Sequence, residues 1–463
     1  MPSIIIPVHS YRLNSRTASN SRLVNCFAEA VPQGKQPVRL TRAPGIVTHA
    51  TPGVGAGRGL AVLNESLYAV IGTGLYTVSA GGTEDYLGEI VGTGPCSMAA
   101  NSYQLAIGTD GGTWYVYDSS LAVSPLAQIT DPDFRGARRA GFVDNFIVYV
   151  EPVSGRFFCS DLADAIVYDS LDFATAEGAP DNLVTLIVDH REVILLGSAS
   201  GEIWYNASNG AGFPFERSPG GFLELGALAV AGVTKADNSV FWLASDKTIR
   251  RLNGTTPTRV SHHGVEEKIA GYATVSDCEA YAYTWNGHIC AVFRFPTAGA
   301  TWVFDITTGE WHERQTYYYA DWRVSGFAEC YGKTWVQDSV TGAIGYLSND
   351  TCTEFGGIQR AEWTYQNVYR ERKRQFHTSL EIVADVGVGL LYGQGSDPRL
   401  TLELSNDGGV TWTALPTETL GAQGEYGTRV IWNRLGMSPD RVYRCSISDP
   451  VPLSVHDTVL ELT

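Results

Sequence analysis

A chain of 463 residues with 44% hydrophobic and 18% charged side chains is longer than one hydrophobic core organises, which argues for two folded units and against disorder. Its net charge of −16 excludes wrapping of nucleic acid by phosphate neutralisation, a mode that needs a clustered excess of Lys and Arg. The longest apolar runs, such as Ile4-Ile5-Ile6 and Val193-Ile194-Leu195-Leu196, fall short of the roughly 20 residues of a membrane span, so no membrane segment is expected.

Residues 1–56 read as an N-terminal segment with a strand at Ile4-Ile5-Ile6 and an extended arm. They carry no basic region followed by an apolar stretch and a cleavage site, so synthesis in the cytoplasm is expected. The eight cysteines are scattered without a C-x-x-C pair and read as reduced, mostly buried thiols. The stretch Gly53-Val-Gly55-Ala-Gly57-Arg-Gly59 departs from G-x-G-x-x-G and precedes a hairpin, so it reads as a linker and not a phosphate loop.

From residue 57 to 355 one unit repeats: a short apolar strand, a turn, and a second strand rich in aromatics. Copies begin at Leu67, Gln104, Asn145, Glu192, Ser239, His288 and Lys333. Matching positions in the second strands are Leu75, Trp114, Phe157, Ile203, Ile249, Trp302 and Ile344, at intervals of 39, 43, 46, 46, 53 and 42. A mean near 45 is the spacing of propeller blades. Each hairpin needs neighbours on both sides, and closing the array into a ring removes its free ends. Glycines at the turns (Gly72 and Gly74, Gly111 and Gly112, Gly155, Gly201, Gly299, Gly342) are expected to supply positive φ, with Ser245-Asp246 replacing them in the fifth copy. The expectation is an all-β, six- or seven-bladed β-propeller in which the strand at Ile4–Ile6 is placed to complete the last blade.

Within that region Ser261-His262-His263-Gly264-Val265-Glu266-Glu267-Lys268 brings two imidazoles and two carboxylates together. Neighbouring side chains on a strand point to opposite faces, so the run reads as a solvated inter-blade loop and not a metal site. Gly197-Ser-Ala-Ser-Gly201 has Ala199 where a nucleophile elbow needs Ser.

The rhythm changes after Phe355. Strands are expected near 362–368, 379–383, 399–404, 428–432, 441–446 and 458–462, which suits a C-terminal β-sandwich over 356–463. Inside it, Ser405-Asn-Asp407-Gly-Gly409-Val-Thr411-Trp412 resembles the Asp box of sialidases and many other β-proteins. Asp407 is expected to bond turn amides, Gly409 to permit the turn, and Trp412 to anchor the hairpin in a core. Arg370-Glu371-Arg372-Lys373-Arg374 is a concentrated basic segment in an acidic chain. Its default reading is a solvated strand face; the sharper one makes Arg370, Arg372, Lys373 and Arg374 a contact with an acidic neighbouring subunit.

Two further segments carry a resemblance. One is Leu23-Val-Asn25-Cys-Phe27-Ala-Glu29, continuing through Pro37-Val-Arg39-Leu to Pro44-Gly45-Ile46; the other is Arg429-Val-Ile-Trp432-Asn-Arg434-Leu-Gly436, continuing through Arg441-Val-Tyr443 to Asp449-Pro450-Val451. Together they resemble the packaged-DNA stabilisation, or tail hub (nozzle), proteins of short-tailed bacteriophages. The resemblance implies a structural virion protein of the tail, not an enzyme, that forms a hexameric ring below the portal and its adaptor protein. It also implies a DNA channel continued through the lumen without sequence-specific binding, help in retaining packaged DNA, and attached tailspikes or fibres and a plug or needle protein. Asn25, Glu29, Pro44, Gly45, Arg429, Trp432 and Arg434 are structural motif residues on this reading, and no catalytic, cofactor or metal residue is assigned. The competing reading, from the Asp box and the many aromatics, is a glycan-binding or glycan-hydrolysing propeller.

Overall fold

The computed structural model describes residues 5–463 apart from 16, 17, 35, 209–211 and 370–372. Seven four-stranded antiparallel units follow one another as blades 1 to 7, over 57–89, 97–128, 140–175, 183–223, 233–259, 279–313 and 324–348. In chain order each blade runs from its innermost strand outward. The innermost strands of successive blades lie side by side, and that of blade 7, Val324–Cys330, returns to that of blade 1, Gly57–Leu63. The ring is therefore closed.

Blade 7 supplies three strands of its own and takes its fourth from the N-terminal segment. Gly45–Ala50 pairs antiparallel with Ile344–Ser348. The sequence expectation placed this strand at Ile4–Ile6; Ile4 lies outside the described residues, and Ile6 is buried in the sandwich core instead. An apolar triplet fits any core, whereas only the segment directly preceding blade 1 is within reach of the ring's last gap.

Apolar packing explains why the repeat needs neighbours. Seven hydrophobic clusters each lie between two adjacent blades, from Leu63, Val70, Leu105 and Ile107 between blades 1 and 2 to Leu67, Ile71, Trp335 and Ile344 between blades 7 and 1. Gln337 adds a polar clasp at the closure: its amide donates to the Val70 carbonyl at 3.0 Å and accepts from the Gly59 amide at 3.1 Å. Gly57 is required there, because a β-carbon on it would lie 2.4 Å from the Gln337 side chain. The stretch read as a linker is thus, from Gly57 onward, the innermost strand of blade 1.

Two further expectations are corrected. Residues His263–Ala270 form an α-helix with His262 as its cap, not a loop or strand; Nδ1 of His262 accepts from the amides of Gly264 (3.1 Å) and Val265 (3.3 Å). The turn positions with positive φ are Gly72, Gly111, Gly299 and Gly342 as expected, but Val153 and Lys247 take that role in blades 3 and 5, and Gly74, Gly112, Gly155 and Gly201 do not.

The sandwich is discontinuous in sequence. Its first sheet runs from the outer strand of blade 6, Glu310–Glu313, through Asn20–Val24, Ala361–Thr364 and Asp440–Ile447 to Arg399–Ser405. The second consists of Cys26–Ala30, Val38–Arg42, Ser454–Leu462, Gln375–Ala384 and Val430–Asn433. Leu23, Cys26 and Leu40 share its core with Trp363, Leu402 and Tyr443. Residues 20–42 therefore belong to the sandwich and 45–50 to the propeller, and a continuous sheet joins the two.

Candidate functional site

The first signature segment and the end of the second, Asp449 and Val451, meet where propeller meets sandwich, while residues 429–436 lie elsewhere in the sandwich. Asn25 is the corner residue at which the chain leaves one sandwich sheet for the other, in the left-handed region at φ 52°. Its side-chain amide donates to the carbonyls of Gln315 (2.7 Å) and Arg360 (2.8 Å), and its Oδ1 accepts from the Gln315 amide at 3.1 Å. One side chain so ties the segment that leaves blade 6 to the residue just before the strand Ala361–Thr364 of the sandwich.

Arg42 does the same from the other side. It is buried, and its guanidinium donates to the carbonyls of Asp449 (2.7 Å), Val451 (2.8 Å), Cys352 (3.3 Å) and Gln359, and to Oε1 of Gln359 (3.0 Å). Burial pulls it below the ordinary arginine value, although nearby acidic groups oppose the shift. Carbonyl dipoles satisfy its donors in place of a carboxylate.

Pro44 and Gly45 occupy the step from this hairpin into blade 7. The Pro44 carbonyl accepts from Gln359 (2.8 Å) and from Arg314 (3.2 Å). A β-carbon on Gly45 would fall 2.2 Å from the Thr351 carbonyl oxygen, so no other residue fits without moving backbone. Arg314 is sealed against Glu354 at 3.3 Å and lies over the Trp322 ring at 4.1 Å, while the Trp322 indole donates to the same carboxylate at 3.0 Å. Sequence reading passed over Arg314, Trp322, Glu354 and Gln359. A charged residue is legible as buried only once its partner is known, and these partners lie tens to hundreds of residues away.

Family profiles decide what this arrangement is. The profile described as bacteriophage P22 Gp10, beta-propeller, matches residues 13–352, and that described as bacteriophage P22 Gp10, beta-sandwich, matches 362–462. The chain belongs to the bacteriophage P22 Gp10 family. This is the packaged-DNA stabilisation, or tail hub, family of short-tailed phages, whose members are structural components of the virion tail. No curated protein matches the chain.

Solved structures similar to this Gp10 family chain include the computationally designed Ika8 protein, with 12% identity over 65% of this chain and 99% of its own at a TM-score of 0.39. A catalytically inactive virginiamycin B lyase from Staphylococcus aureus, with quinupristin, has 11% identity over 66% and 98% at 0.45. PorZ, a surface component of the type-IX secretion system of Porphyromonas gingivalis, has 11% identity over 80% and 46% at 0.40. At these scores none bears on function.

The remaining motif residues of this Gp10 family member take structural positions. Glu29 is paired with Arg39 at 2.7 Å, Arg429 with Glu381 at 2.8 Å, and the Trp432 indole donates to the Pro416 carbonyl at 2.6 Å from within the sandwich core. Arg434 is a turn residue at φ 59°. In the Asp box, the Asp407 carboxylate accepts from the amides of Val410 (2.9 Å) and Thr411 (2.9 Å) and from the hydroxyls of Ser405 (2.6 Å) and Thr411 (2.5 Å). These bonds hold it well below the usual carboxylate range. Gly409 is left-handed at φ 83°. Trp412 departs from the expectation: it is only partly buried, and the guanidinium of Arg444 lies 4.1 Å from its ring centre, so a cation covers it and not a core. Of the basic segment, Arg370 and Arg372 lie outside the described residues, while Lys373 and Arg374 are exposed.

One face of the propeller holds a feature the sequence concealed. Asn64-Glu65, Asp144-Asn145, His190-Arg191, Asp237-Asn238, Asn286-Gly287 and Tyr331-Gly332 form two-residue turns with positive φ at both positions, each joining the two innermost strands of its blade. They bond across blades: Arg191 to Asp144 at 2.8 Å, His190 to Asn238 at 2.7 Å, and Asn286 to Asn349. Among these dipeptides only Asn286-Gly287 is the strong Asn-Gly turn signal, and it too was passed over because the repeat was read from His288 onward. Among the described residues no group of three or more His, Cys, Asp or Glu side chains is arranged to hold a metal ion.

Proposed function

We propose that the chain is a ring-forming subunit of the phage tail hub, or nozzle, placed below the portal and adaptor, where it continues the DNA channel and helps retain the packaged genome. The observation that carries this reading is the match of both Gp10 family profiles, one to the propeller and one to the sandwich. The junction supports it: a subunit that must withstand a pressurised genome is better served by two domains joined through one sheet and buried polar clasps than by a flexible linker. The acidic composition supports it too. A wall of like charge lets DNA slide and leave, whereas a basic wall grips phosphates, so retention would be geometric. The role needs no catalysis.

On this reading the ring is a hexamer, tailspikes or fibres and a plug or needle protein attach to it, and the basic segment at 370–374 takes part in a subunit or partner contact. Electron microscopy of the purified protein mixed with its cognate portal and adaptor tests the proposal. A ring seated under the adaptor is expected; absence of binding to any portal-proximal component would refute the hub assignment.

A further inference from the structure

One arginine of the propeller pore is answered differently from the buried arginines of blade 6 and the junction, and Glu279, the partner of Arg294, lines the same pore. Arg294 and Arg314 each meet carboxylates: Arg294 pairs with Glu279 at 2.9 Å and Asp321 at 2.8 Å, and Arg314 with Glu354. Arg139 does not. It begins the approach to the innermost strand of blade 3 and reaches over to blade 5, where Nη1 donates to the Val230 carbonyl at 2.7 Å and Nη2 to the Val233 carbonyl at 3.4 Å. Desolvation lowers its half-buried guanidinium to about 10, with no carboxylate to restore it. An uncompensated charge at such a place is costly unless something answers it.

Other groups on the same cavity are also incompletely answered. Arg58, in blade 1, is 5% exposed and spends Nε on the Gly94 carbonyl (2.8 Å) and Nη1 on those of Gly72 (2.8 Å) and Ile90 (3.1 Å), leaving Nη2 buried without a partner. Arg138 is paired with Asp110 at 2.8 Å. From the connection into blade 6, across the ring from blades 2 and 3, Asp277 accepts from the Thr297 amide at 2.8 Å through Oδ2, while Oδ1 is buried without a partner. All four side chains line one cavity of about 580 Å³, within the range of small-ligand sites.

We propose that this pore is a binding site for a small oxyanion that also carries a hydrogen-bond donor, with the Arg139 guanidinium, flanked by Arg138 and Arg58, receiving the anion and Asp277 Oδ1 receiving the donor. A guanidinium fork matches a carboxylate or phosphate edge, and an anion placed there lowers the cost of the unpaired charge. Hydrogen phosphate and a hydroxy-acid such as lactate both have the required chemistry. Sulfate has the charge but no O–H to offer Asp277 at neutral pH.

Isothermal titration of the full chain in chloride buffer with inorganic phosphate, lactate or sulfate tests this. Saturable binding of phosphate or lactate, tighter than sulfate and weakened at least tenfold by Arg139→Met, is expected. Arg139→Lys keeps a charge without the fork and serves if the first variant does not fold; it should weaken binding severalfold. Asp277→Asn, which offers a donor of its own, should abolish the preference over sulfate. Failure of both phosphate and lactate to bind the wild type, or equal binding by wild type and the Arg139 variants, would overturn the proposal.

Discussion

Asn25 and Gln315 hold each other twice, the Asn25 side-chain amide donating to the Gln315 carbonyl at 2.7 Å and the Gln315 amide donating back to Asn25 Oδ1 at 3.1 Å. The pair fastens the corner of the sandwich to the segment that leaves blade 6. Replacing Asn25 by Ala removes these bonds and that to Arg360, and leaves a non-glycine residue at φ 52°. The expected loss is about 2 to 4 kcal/mol. Asn25→Gly relieves the backbone but not the lost bonds, so in urea unfolding it should recover only the smaller part. Equal stability of Asn25→Ala and wild type would remove the residue from the junction.

Gly45 tests ring closure. With 2.2 Å between an added β-carbon and the Thr351 carbonyl oxygen, Gly45→Ala must displace the strand that completes blade 7. A loss of about 3 kcal/mol or more is expected, read as a lowered thermal midpoint and as protease cuts near residue 50. A variant with unchanged midpoint would mean the closing strand adapts freely.

These two residues also show what was legible from sequence alone. Asn25, Pro44 and Gly45 were marked by the pattern of their neighbours, and the seven hairpins by their spacing, because both are local. The innermost strands went unread: most of their turns use pairs such as Asp-Asn or His-Arg, and the one Asn-Gly turn, Asn286-Gly287, lies just before the point from which the blade 6 copy was read. The discontinuous sandwich went unread because strand Asn20–Val24 finds its partners in Glu313 and in residues 362–364, and nothing local states that pairing. The helix at 263–270 is two turns long with only Gly264, Val265 and Ile269 buried, too short a pattern to stand out.

Acid should loosen that helix. His262 caps it through Nδ1, which must be unprotonated, and burial together with nearby His9 lowers its pKa to about 4. A folded value below the unfolded one means the cap's contribution is whole above about pH 6.5 and is lost as pH falls toward 4, since the unfolded chain takes up the proton first. The loss at pH 4 is up to about 3 kcal/mol. His262→Asn keeps a cap that does not titrate, so its unfolding midpoint should fall less between pH 7 and 4.5. His377 and His312, lowered by burial to about 4 and about 3, leave a residual dependence. A variant with the full wild-type pH dependence would exclude His262 as a contributor.

Asp407 is expected to matter to the hairpin and not to chemistry. Its carboxylate is held below the ordinary range by the Ser405 and Thr411 hydroxyls and the turn amides, so its support is present above about pH 4 and fades as pH falls further. Asp407→Ala should speed amide exchange at Val410 and Thr411 while leaving the propeller's exchange unchanged. A glycosidase activity in the wild type that this substitution abolishes would reverse the structural reading.

The last prediction concerns assembly. Each copy carries −16, so six carry 6 × −16 = −96, and a ring of such subunits needs local attraction to offset repulsion of the whole. Lys373 and Arg374 are exposed beside the strand Gln375–Ala384, within a basic segment that also contains Arg370 and Arg372. An electrostatic contact of this kind weakens as added salt shortens the screening length, about 10 Å at 0.1 M. Purified protein is therefore expected to remain monomeric in native mass spectrometry until the adaptor ring supplies a template, and templated assembly should decline with ionic strength. Changing Arg372, Lys373 and Arg374 together to Glu should weaken assembly while the monomer's thermal midpoint stays within a few degrees of wild type. Assembly indifferent to both salt and charge reversal would place the subunit contact elsewhere on the molecule and leave the segment as a solvated strand face.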